Sequence, residues 1–218
     1  MKQQLIFGVT SVALLLAFMS ASFYYKDQQT KKFGFMAAES AETFIRDYSQ
    51  SLGSEEAKVY LIEFMDPACE TCASFSPFVK KIMNAYPGKI KLVLRYAPFH
   101  DGADYFVKIL EAAKKQGKYW ETLEVMYTSQ PHWASHHNPQ PQKIWQFLPQ
   151  AGLDLAQLEK DMNDPKIVKI IEQDLADAKK LNVRKTPGFF VNGKPLQTFG
   201  SQQLLDLIRS ELQANYPN

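Results

Sequence analysis

The segment Lys58 to Tyr86 changes hydrophobic period once, and that change limits the folds open to the chain. "KVYLIEFMD" (Lys58 to Asp66) is β-branched and aromatic and apolar on both faces, which predicts a central strand rather than an edge. Beyond Cys69 the apolar residues Phe75, Phe78, Val79, Ile82, Met83 and Tyr86 recur at helical spacing. Pro77 lies inside that helix and is expected to kink it. "PGKIKLVLRYAPF" then supplies a turn and a second strand, about Lys89 to Tyr96. Two strands joined by a crossover of this length pair in parallel, so the class is α/β.

Helical patterns follow. Phe106, Ile109, Leu110 and Ala113 mark one helix, and Tyr119, Trp120, Leu123, Met126 and Tyr127 a second. "SQPHWASHHNPQPQ" is a loop, with short helices expected near Gln142–Gln150 and Leu155–Met162. A longer helix carries Ile167, Ile170, Ile171, Leu175 and Ala178. "TPGFFVNGKPL" reads as a hairpin turning at Asn192-Gly193, and Pro195 confines its second strand to an edge. A last amphipathic helix runs from about Gln202 to Asn215. Residues 26–57 read as a polar connector with one helical piece, about Ala37 to Gln50. No internal repeat or phosphate-cradling glycine loop is visible.

The two cysteines, Cys69 and Cys72, are the only ones in 218 residues and flank the strand-to-helix junction. Hydrophobic residues make up 45% of the chain, enough for a core without a disulfide staple. An inert bridge closing so small a loop would stabilise little. A zinc site needs two further ligands, and the four histidines (His100, His132, His136, His137) lie far along the chain. Redox chemistry fits the spacing best. The helix dipole and first-turn amides favour negative charge on Cys69, expected to be the more exposed thiol. Cys72, one turn later, is placed to resolve a mixed disulfide.

The order strand, "CETC" helix, strand, helical insertion, "TPGFFVNG" and final helix resembles the DsbA-like thiol-disulfide oxidoreductases of the thioredoxin superfamily. The implied fold is a thioredoxin fold, here residues 58–218, interrupted by an all-helical insertion at about 101–181. The most specific parts are "EFMDPACETC" and "VRKTPGFFVNG". The resemblance makes Cys69 the attacking thiolate, Cys72 the resolving thiol and Thr186-Pro187 the cis-proline pair that holds an extended substrate. Glu70 and Thr71 would also border that substrate. Glu63 matches a buried acid that exchanges protons with Cys72, and its neighbours Leu61, Ile62, Phe64 and Met65 support burial independently. The reading at the residue level leaves an edge glutamate reaching solvent as the alternative.

One departure stands out. Strong oxidants of this branch carry Pro-His between the cysteines, and this chain carries Glu70-Thr71. Without a cation beside it, the Cys69 thiolate is expected to be less depressed, and the disulfide less oxidising. Thr186 before the proline is similar to reductases and isomerases, although residues 26–57 are too short for their dimerisation domain. The direction of electron flow is open at this level.

A stretch free of charge, Gln3 to Tyr25, follows Lys2 and reads as a signal peptide or membrane anchor over residues 1–25. Lys26, Lys31 and Lys32 behind it weaken an anchor with its body outside. Either form predicts export to a compartment such as the periplasm, where thiols can be oxidised. The net charge of +2 is spread along the chain and gives no nucleic-acid footprint. The expected partners are cysteine-containing clients and a membrane protein that resets the pair. No cofactor or metal is called for, because the sulfurs carry the electrons. A chaperone or metal handler using the "PHWASHH" loop is the reading from another class. His100 is expected to be a core or cap residue, with contact to the active-site surface as the alternative.

Overall fold

The computed structural model describes residues 15–20, 24, 41–134 and 138–217. The chain divides into two units, Met1–Ala41 and Glu42–Asn218. In the first, residues 15–20 are helical and exposed. Apart from Tyr24, the rest of the segment expected to be a signal or anchor lies outside the described residues, as do His136 and His137. Among the described residues no helix is long and apolar enough to cross a membrane.

The second unit is built on five strands in the order β1-β3-β2-β4-β5. They are β1 (Gln50–Gly53), β2 (Val59–Met65), β3 (Ile90–Tyr96), β4 (Gly188–Val191) and β5 (Lys194–Pro195). β2 and β3 pair in parallel as the crossover demands, while β1, β4 and β5 join antiparallel. β2 is central: Glu63 stands opposite Leu94 of β3 and Phe189 of β4. Asn192 and Gly193 both take positive φ (48° and 80°), the conformation a two-residue hairpin needs. Pro195 sits in the edge strand β5, where its missing N–H breaks no ladder.

Both sheet faces are covered. Leu61, Met65, Leu92, Leu94 and Phe189 belong to the main core, against α2 (Glu70–Ala85) and the C-terminal helix. On the other face Phe190 meets Phe64 and, at 5.2 Å, Phe44 of the single turn α1 (Ala41–Phe44). The insertion holds α3 (Ala103–Lys115), α4 (Tyr119–Ser129), α5 (Leu155–Asp161) and α6 (Pro165–Lys180), and α7 (Ser201–Asn215) closes the chain.

Two expectations are corrected. The helix read over 37–50 is a single turn over its described residues, and Gln50 opens β1, so the sheet begins ahead of residue 58. The short helix near 142–150 is two 3₁₀ turns, Pro141–Gln146 and Leu148–Ala151. α2 runs through Pro77 without interruption.

Candidate active site

Cys69 is the residue that starts α2: its backbone is extended (φ −76°, ψ 118°), and its carbonyl accepts from Ala73 N at 3.1 Å. The amides of Thr71 and Cys72, at the open start of the helix, favour negative charge on its sulfur, although neither closes a cap hydrogen bond on it. Cys69 is 5% exposed and Cys72 fully covered, and both are free thiols. Hydrogen bonding from the Cys72 thiol pulls Cys69 down to about 5, helped by Thr186 and the amides of Cys72 and Thr71. Burial works against these bonds but does not cancel them. Burial pushes Cys72 well above an ordinary thiol, and the bond to Cys69 and the charge of Glu63 add to it. The two sulfurs are thus split in the sense expected, with Cys72 rather than the helix amides as the largest cause.

Across from α2, the Thr186–Pro187 bond is cis, and the Cys69 thiol lies 3.4 Å from the Thr186 carbonyl, its acceptor. Pro187 itself is buried and Thr186 half-buried. Glu70 and Thr71 occupy the first turn of α2, half-buried. Glu63 is buried on β2, on the same sheet face as α2. Burial, and then the charge of Cys69, push its carboxyl up to about 8. An edge position reaching solvent is therefore excluded.

Two features lay outside the sequence reading. Asp66, fully buried, ties the cysteine loop to the loop after β3. Its Oδ1 accepts from Ala68 N at 2.8 Å; its Oδ2 accepts from Phe99 N at 2.8 Å and His100 N at 2.9 Å, and contacts His100 Nδ1 at 2.7 Å. His100 is therefore a clamp on the active-site loop. An aspartate two residues before a free amide hints at the local turn, but nothing local announces a partner 34 residues away. The insertion adds Gln130, whose side-chain amide donates to the Pro67 carbonyl at 3.0 Å. The second feature is a cavity of about 260 Å³ between β1–β3, α2 and α4, with Glu63 in its lining.

The "PHWASHH" loop is buried at Trp133, while exposed His132 stacks on Phe147 at 5.4 Å. Among the described residues no three His, Cys, Asp or Glu side chains converge as metal ligands would.

A sequence model described as "Thioredoxin" matches residues 46–209. A thioredoxin-like oxidoreductase from Silicibacter pomeroyi DSS-3 is 27% identical with a TM-score of 0.67, covering 78% of this chain and 95% of that one. BdbD from Bacillus subtilis is 22% identical (TM-score 0.67; 76% and 93% covered). Alpha-DsbA1 from Wolbachia pipientis is 20% identical (TM-score 0.68; 78% and 94% covered). A curated relative, the Na(+)/H(+) antiporter NhaA of Herminiimonas arsenicoxydans, is 28% identical over 145 residues, 66% of this chain. The chain spans about a fifth (22%) of that relative's length. The chain belongs to the thioredoxin family. Within it the architecture is DsbA-like, a thioredoxin sheet interrupted by helices between β3 and β4.

Proposed function

We propose that the protein exchanges disulfides with cysteines of client proteins through Cys69 and Cys72. The observation that carries this is the position of the cysteine pair at the start of α2, with the Cys69 sulfur 3.4 Å from the Thr186 carbonyl beside the cis Thr186–Pro187 bond. In the oxidising direction a client thiolate attacks Cys69 of the disulfide. A client–Cys69 bond forms, the Cys69–Cys72 bond breaks, and the electron pair leaves on Cys72. Glu63, protonated below about 8, supplies the proton that Cys72 takes up. A second client thiolate then attacks the client sulfur of the mixed disulfide, and Cys69 leaves as a thiolate. That departure is easy because the Cys69 thiolate, with its lowered pKa, is a weak base. Thr186 and Pro187, with Glu70 and Thr71, border the extended client segment.

The N-terminal apolar stretch supports export, as a cleaved or anchored protein working in the periplasm, with a membrane redox partner restoring the pair. The domain reading is then residues 1–25 as signal or anchor, 26–57 as connector and 58–218 as the redox domain, with the connector's Gln50–Gly53 adding the edge strand β1 to its sheet. Glu70-Thr71 and Thr186 favour a milder couple, so reduction or isomerisation is the second reading on the same residues. Insulin reduction by the full chain, with Cys69→Ser as control, tests the proposal. Turnover lost in the variant supports it; equal rates for both proteins return the chain to a binding role.

A further inference from the structure

Glu63 is 5% exposed, and among the described residues its carboxyl has no hydrogen-bond partner. It lines the cavity of about 260 Å³ between the sheet, α2 and α4. Tyr127 of α4 lines the same space. Its hydroxyl likewise has no partner among the described residues, and it lies close enough to Glu63 and the cysteines to feel their charge. Polar groups that packing covers but leaves unpaired are costly unless something within the cavity meets them. The other walls are mostly apolar: Val79, Met83, Leu92, Leu94, Leu123 and the ring of Trp120. At the rim the exposed Lys80 and Glu124 pair with each other, so neither offers an uncompensated charge to the interior. Neither cysteine lines the cavity, nor does Thr186 or Pro187, so it is separate from the surface where a client would sit.

We infer that this cavity is a binding site for a small neutral aryl ketone or a similar apolar carbonyl compound, held by hydrogen bonds from Glu63 and Tyr127. Size sets the first limit. An apolar cavity of about 150 Å³ takes benzene, so this one scales to about ten heavy atoms. Charge sets the second: an ion would give up its hydration with no counter-charge inside. Polarity sets the third. Glu63, protonated below about 8, presents a donor, as does the Tyr127 hydroxyl, and one carbonyl oxygen can accept from both. The rings of Trp120 and Tyr127 favour an aryl body. The titratable groups around Glu63 are Cys69, Cys72 and Lys80 from α2, and Tyr119, Glu124 and Tyr127 from α4. The flanking strand positions, Leu94 and Phe189, do not titrate. Binding of this kind does not depend on the exchange reading above.

The test is a nuclear magnetic resonance titration of the reduced full chain with 4-methylacetophenone, a ketone of about this size. Saturable shifts at Trp120 and Leu123 are expected. Since the protonated acid is the donor, affinity at about pH 9 should be about tenfold weaker than at about pH 6. Glu63→Gln keeps a donor and should bind without that pH dependence. Tyr127→Phe should weaken the ketone about fivefold and leave p-cymene, the same shape without the carbonyl, unchanged. Leu123→Trp fills the cavity and should abolish binding of both. A cavity that takes only water predicts no saturable shift up to the solubility of the ketone, and that result would overturn the site. Equal effects of Tyr127→Phe on ketone and p-cymene, or a pH dependence that survives in Glu63→Gln, would overturn the hydrogen-bonded pose. Insulin reduction is a separate readout, so a chain that binds the ketone but leaves insulin intact would sink the exchange reading and not the pocket.

Discussion

Between pH 5 and 8 the reduced site carries one negative charge, on Cys69, while Glu63 stays neutral. Hydrogen bonds outweigh burial at the first residue; at the second burial dominates and the charge of Cys69 adds to it. Folding raises Glu63 from its ordinary 4.5 to about 8. Its folded form is therefore fully stable below the lower value and loses stability as pH climbs towards the upper one. Glu63→Gln should accordingly gain thermal stability over wild type, little at pH 4 and increasingly up to pH 8. Thermal melts of the reduced proteins across that range check this; a gain that does not vary with pH would contradict a protonated carboxyl. Glu63 was legible in sequence because its apolar neighbours placed it in a central strand. The dominance of the Cys72 thiol in lowering Cys69 was not, since spacing gives proximity but not which donor is aimed at the sulfur.

The loops at the ends of β2 and β3 are held by one carboxylate. Asp66 takes three backbone amides and faces the His100 ring with no exposed surface. Asp66→Ala would leave those amides unpaired and is expected to cost about 3 kcal/mol or more. Urea unfolding measures the loss, and a thiolate titration of the variant should move Cys69 back towards an ordinary thiol as the loop slackens. A cost under about 1 kcal/mol, typical of a solvated pair, would contradict the clamp. The strands β2, β3 and β4 and most helices were readable from period alone. β1 was not, because "QSLG" is four residues at a half-exposed edge and carries too little pattern to separate it from the turn before it. The 3₁₀ turns escaped for a related reason: a proline in the first turn fits either helix type.

At the scale of the molecule, a buried ionic cluster joins three parts of the chain distant in sequence. Arg95 of β3 is fully buried and bonds Asp174 and Asp177 of α6 at 2.6 Å each. It also donates to the Thr43 carbonyl at 2.6 Å, while Arg46 reaches Asp177 at 2.8 Å. The insertion, the sheet and the segment before β1 are fastened at that point. Asp174→Ala would take one of two carboxylates from buried Arg95 and leave the Tyr96 amide unpaired, and should cost about 3 kcal/mol or more. Arg46→Ala, at a side chain 26% exposed, should cost about 1 kcal/mol or less. Denaturant midpoints of the two variants decide; similar losses would mean that burial is not what makes the cluster strong. Such long-range pairs, like the cavity beside Glu63, come into being only when the elements pack, which is why the sequence showed the elements and the cysteines but neither of these.

The central claim is that Cys69 is an ionised thiol at neutral pH, ready to be attacked and to leave. Ultraviolet titration of the thiolate in the reduced full chain, with Cys69→Ser as blank, tests it most directly. The account predicts a midpoint of about 5. A midpoint near 8.5, that of an ordinary cysteine, would contradict it, and one near 3.5 would show that Glu70-Thr71 does not soften the couple.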